Sequence, residues 1–100
     1  VKCGSDEELA VLHWSVQQAK NIAGATRVLL FGSRARGDAD DRSDFDLAIE
    51  TEHPERLPEL SALFREHPLT LVSFDVVDLP AAQPHFKARI LSEAKDITQI

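Results

Sequence analysis

Four consecutive large apolar residues, Val28-Leu29-Leu30-Phe31, stand between Arg27 and Gly32 and set the tightest limit on what this chain can fold into. So short a run, with no polar alternation, suits a strand buried on both faces better than a helix. The next segments narrow the choice. From Gly32 to Ser43 the chain holds no apolar residue larger than alanine, so it reads as a loop with room for one helical turn. Asp44 to Glu50 then alternates, with Phe45, Leu47 and Ile49 on one face and Asp44, Asp46 and Ala48 on the other, as a half-buried second strand should.

Helices are expected on either side of this pair. Ser5-Asp6-Glu7-Glu8 has the form of a capping box, in which the Ser5 hydroxyl and the Glu8 carboxylate each satisfy an orphan amide. Leu9, Leu12, Val16, Ala19 and Ala23 recur behind it at helical spacing, with Trp14 off that stripe and Gly24 placed as the C-terminal cap. Pro54 suits the first turn of a second helix buried through Leu57, Leu60, Leu63 and Phe64, and Pro68 marks its end. Leu71 to Asp78 is rich in valine and phenylalanine and supplies a third strand. A last helix from His85 to Ala94 carries Phe86, Ile90 and Ala94 at steps of four.

With 100 residues, 43% of them hydrophobic, the expectation is a single domain spanning 1-100, near the lower limit for one self-sufficient core. Seventeen acidic residues against eleven basic ones give a net charge of −6, which argues against duplex nucleic acid as a partner. The lone Cys3 has no partner for an internal disulfide, no stretch is apolar enough to span a membrane, and the first residues lack a signal-peptide pattern. A cytoplasmic location is therefore expected. His13, His53, His67 and His85 lack metal-ligand spacing.

The chemistry concentrates in the loop and the strands around it. Asp44 and Asp46, two apart on a strand, leave one face with Cα atoms roughly 6.5 Å apart. Two such carboxylates repel, and a divalent ion with oxygen ligands from both, Mg²⁺ above all, relieves them; a solvated strand face is the plainer alternative. Gly32-Ser33, directly after a buried strand, outlines a phosphate cradle of free amides and a hydroxyl, or else a simple turn in which Ser33 caps the next helix. Arg34 and Arg36 can each bring a guanidinium to a triphosphate, or pair with Asp38, Asp40 or Asp41. Asp75, between Phe74 and Val76, is a carboxylate in a strand that otherwise prefers apolar residues, where burial without a partner is costly. It is preferred over Asp78, which falls out of phase with it.

Taken together, Gly32-Ser33, ten intervening residues and Asp44-Phe45-Asp46 make a Gly-Ser-x10-Asp-x-Asp signature within FGSRARGDADDRSDFDLAIE. The string resembles the minimal nucleotidyltransferases of the DNA polymerase beta-like superfamily, and the resemblance runs from Val28 through FDVVDL into the final helix. It implies an α/β (α+β) nucleotidyltransferase fold, a small mixed sheet flanked by helices. It further implies two Mg²⁺ ions held by Asp44 and Asp46, with Asp75 helping to activate a nucleophile, and nucleotide phosphates gripped by Gly32 and Ser33. Attack on the α-phosphate of ATP would release pyrophosphate. Small members of the family are often antitoxins that attach AMP to a HEPN-domain toxin, and that partner is the favoured expectation here. The chain contains no tyrosine, so a tyrosine acceptor has to lie on another protein.

Two competing accounts stand beside it. Transfer to a small hydroxylated molecule of the aminoglycoside type is one, although larger relatives use an additional domain for it. A binding-only module, acting through Trp14, Phe86, Ile97 or Ile100, is the other.

Overall fold

The computed structural model describes residues 6–40, 42–66 and 72–100. The capping residue Ser5, Asp41, the stop at Pro68 and the expected strand start at Leu71 lie outside the described residues. The order is α1 (Asp6–Ala23), β1 (Ala25–Phe31), α2 (Ser33–Arg36), β2 (Phe45–Thr51), α3 (Leu57–Glu66), β3 (Phe74–Asp78), α4 (Pro84–Glu93) and β4 (Lys95–Asp96). Single 3₁₀ turns at Pro54–Arg56 and Leu79–Ala81 lead into α3 and toward α4. At the end of α1, Gly24 adopts φ +62° and its N–H reaches the Lys20 carbonyl at 3.1 Å, the left-handed cap that a glycine supplies without strain.

The sheet order is β3-β2-β1-β4. β1 runs antiparallel to both β2 and β4, while β2 and β3 are parallel, so the sheet is mixed as expected. Alternation along β1 sends Val28 and Leu30 to one face and Leu29 and Phe31 to the other. On the first face they meet Leu12, Val16, Ala19, Leu60 and Phe64 of α1 and α3, together with Phe45, Leu47 and Ile49 of β2. On the second they meet Ala48, Leu79 and Ile90. Leu47, Ile49, Leu60, Leu79 and Ile90 are fully buried, each contributing about 1.5–3 kcal/mol from apolar area removed from water.

This second layer corrects the expectation for β2. Alternation alone puts Ala48 on a solvent face, yet it is fully buried, because Leu79 and Ile90 cover the face that also carries Asp46. Trp14, off the apolar stripe of α1, packs against the first layer, with its ring 5.5 Å from Phe64 and 6.4 Å from Phe74. Leu9, a member of the expected stripe, is exposed. At the C-terminal end the core extends further than the sequence suggests. Ile97 and Thr98 are buried: the Ile97 N–H donates to the Val28 carbonyl at 3.0 Å, and the Thr98 hydroxyl oxygen accepts the Val28 N–H at 2.9 Å. Ile97 is therefore part of the core and not a docking residue, whereas Phe86 and Ile100 are exposed.

Candidate functional site

The turn after β1 is built around Gly32. Its φ of +76° belongs to the region that favours glycine, and its carbonyl accepts the N–H groups of Ala35 and Arg36 to start α2. Gly32, not Ser33, is the N-cap, so Ser33 becomes the first helical residue. A Cβ placed on Gly32 would collide with Asp46 Oδ2. The closeness follows from the sheet, in which Phe31 is paired with Asp46, so that the residue after Phe31 packs on the Asp46 side chain. Ser33 lines the adjoining cleft, and its hydroxyl has no protein partner among the described residues.

Parallel pairing brings the third carboxylate in. Asp46 and Asp75 are register partners, so their side chains leave the same face of the sheet. The Asp46 carboxyl is pushed up to about 6, first by burial, then by its hydrogen bond with Asp75, and then by the negative charges of Asp75, Asp44 and Glu93. Asp75 itself, expected to be buried, is exposed, because β3 is the edge strand of the sheet. Asp44 lies just before β2, is exposed, and does not line the cleft. Among the described residues no three His, Cys, Asp or Glu side chains converge as a ready-made metal cluster. The donors themselves suit a hard divalent cation, since Asp46 carries a charge penalty that bound positive charge would remove.

The two arginines part company. Arg34 is buried: its Nη1 stands 2.6 Å from Glu8 Oε2, its Nε donates to the Ser43 carbonyl at 2.9 Å, and its guanidinium lies 4.0 Å from the Phe45 ring centroid. These contacts tie α1, the loop and the start of β2 together, and they leave Arg34 out of the cleft lining. Glu8, the expected capping carboxylate, is engaged in this pair. Arg36 does line the cleft, held at 3.1 Å by Glu93 and at 3.4 Å by Asp38.

The cleft has a volume of about 520 Å³, within the range of small-molecule sites. Its lining combines Gly32 and the polar Ser33, Arg36, Asp46, Asp75, Arg89 and Glu93 with the apolar Phe31, Val76, Val77, Phe86 and Ile90. Sequence reasoning missed the contribution of α4. Phe86, Arg89, Ile90 and Glu93 are spaced as one helical face and all four line the cleft, but the apolar members of that face read as ordinary core.

No helix among the described residues is long and apolar enough to cross a membrane. No curated protein matches the chain. Among solved structures, a protein described as a candidate minimal nucleotidyltransferase is 32% identical, covering 91% of this chain and 95% of its own, with a TM-score of 0.66. A toxin–antitoxin crystal structure with AMP-PNP shares the fold at 20% identity, covering 85% of this chain and 70% of its own, with a TM-score of 0.69. The family described as polymerase beta, nucleotidyltransferase, matches residues 15–99, and this chain belongs to it.

Proposed function

We propose that the chain transfers AMP from ATP to a hydroxyl, a tyrosine in the favoured case, on a partner HEPN-domain toxin, and so acts as its antitoxin, the whole being one nucleotidyltransferase domain. The observation that carries the proposal is that the Gly32-Ser33 turn and the Asp46–Asp75 pair open into one cleft of nucleotide size. The AMP-PNP of the toxin–antitoxin relative supports an adenine nucleotide and a protein partner.

In this reading Asp44, Asp46 and Asp75 hold Mg²⁺, which when bound offsets negative charge on the phosphates and on the carboxylates alike. Ser33, through its hydroxyl, and the Gly32 turn hold the β- and γ-phosphates, and Arg36 supplies charge to them. Asp75, exposed at the sheet edge, is open to an acceptor and takes the proton of its hydroxyl. The acceptor oxygen forms a bond to the α-phosphorus, the bond from that phosphorus to the bridging oxygen breaks, and pyrophosphate leaves. Arg34 is given the task of fixing the loop that delivers Asp44 and Asp46.

Intact-mass spectrometry of a HEPN-domain toxin, after incubation with this protein, ATP and Mg²⁺, tests the proposal. Wild type should add AMP units, and Asp44→Asn/Asp46→Asn should add none. Equal neutralisation of the toxin by that double variant would leave only a binding role.

A further inference from the structure

Glu93 closes α4 and brings a negative charge to a cleft proposed to receive a polyphosphate. Its side chain is only 15% exposed. Oε2 accepts the Gly32 N–H at 2.6 Å, and the Arg36 Nη1 stands 3.1 Å from Oε2 and 3.3 Å from Oε1. A backbone amide and a guanidinium are the donors that a phosphate oxygen also seeks, and a carboxylate held by both satisfies them in the same way. One helical turn earlier on the same face stands Arg89, whose side chain lines the cleft and has no partner among the described residues. Residues four apart on a helix meet, so Arg89 is within reach of a displaced Glu93.

We propose that Glu93 is an internal stand-in for a nucleotide phosphate: substrate takes over Gly32 N–H and Arg36, and Glu93 turns to Arg89. This rests on the nucleotide reading of the cleft. Because Glu93 competes with substrate, binding is weaker than the donors alone would give, and a ligand with little phosphate charge lacks the means to displace it. Arg89 then supports binding from a distance, by giving the displaced carboxylate a new partner.

The test is equilibrium titration with Mg-ATP of wild type, Glu93→Gln, Glu93→Ala, Arg89→Gln and the Glu93→Gln/Arg89→Gln double variant, each checked for folding by thermal melting. Removing the competing charge should tighten binding about tenfold in either Glu93 variant. Arg89→Gln should weaken binding severalfold in the wild-type background and leave it unchanged in the Glu93→Gln background. Unchanged or weaker binding by folded Glu93 variants overturns the proposal and makes Glu93 a structural brace of the turn. An Arg89 effect of equal size in both backgrounds overturns the exchange, since Arg89 would then act on the nucleotide directly. Folded proteins that bind no Mg-ATP at all overturn the nucleotide reading itself.

Discussion

Gly32 shows how one residue without a side chain can be as constrained as any catalytic group. Two independent facts fix it: a positive φ, and Asp46 Oδ2 standing where a Cβ would go. Gly32→Ala therefore has to strain the backbone and turn Asp46 aside at once. The expected outcome is a loss of about 1–3 kcal/mol in urea unfolding together with loss of nucleotidyl transfer, whereas Gly37→Ala, which has φ +91° but open space around its Cβ, should lose stability alone. Transfer at the wild-type rate by Gly32→Ala would show that the Asp46 orientation does not matter. Arg34 is constrained in the opposite way, through its side chain, since a guanidinium expected at the phosphates is engaged by Glu8 instead.

At the scale of elements, that pair is what joins α1 to the loop before β2. The side chains of Arg34 and Glu8 are 7% and 9% exposed, so removing either takes the opposite charge away from a buried one. Arg34→Ala should cost about 3–5 kcal/mol by urea unfolding, and replacing both members by apolar residues, Glu8→Leu with Arg34→Met, should recover part of that loss. Full wild-type stability in Arg34→Ala would mean that the loop is held by its other contacts. Behind the loop, Phe45 and Phe74 stack at 4.9 Å, and Phe74 stacks on Phe64 at 4.5 Å. The residues adjacent in sequence to Asp46 and Asp75 thus anchor β2 and β3 in the aromatic core, which fixes the spacing of the carboxylates on the opposite face.

For the molecule as a whole, the raised Asp46 carboxyl links the site to stability. Its folded value of about 6 lies above the ordinary 3.8, so between those values the folded chain binds a proton that the unfolded chain has released. Below about pH 4 both states are protonated; as pH rises toward 6 the folded state loses stability on account of this group, and above about 6 the loss is complete. Metal-free Asp46→Asn should accordingly melt higher than wild type at about pH 7–8, with the gap closing toward about pH 4. Millimolar Mg²⁺ should raise the wild-type melting temperature at about pH 7 and leave that of Asp46→Asn nearly unmoved. A variant that melts below wild type at about pH 8 would show that Asp46 stabilises the fold and carries no charge penalty.

Much of this protein is legible in its residues because the signals are local. The apolar run of β1, the alternation of Phe45, Leu47 and Ile49, and the 3.6-residue stripes each follow from side-chain period alone, and the Gly-Ser-x10-Asp-x-Asp spacing carries the family. β4 is not legible: a strand of two residues has no period to read, and it is defined by its pairing with Leu29 and Leu30 of β1. The exposure of Asp75 depends on β3 being an edge, a fact of strand order that no local pattern records. Nor can spacing say that Arg34 finds Glu8, 26 positions away, or that Glu93 takes the amide of Gly32, 61 positions away. Sequence by itself determined the segments that become β1, β2, β3, α1, α3 and α4 and the Gly-Ser-x10-Asp-x-Asp spacing that carries the family. Only the tertiary structure decided which charges pair and which remain open in the cleft, because that choice turns on distances between elements remote along the chain.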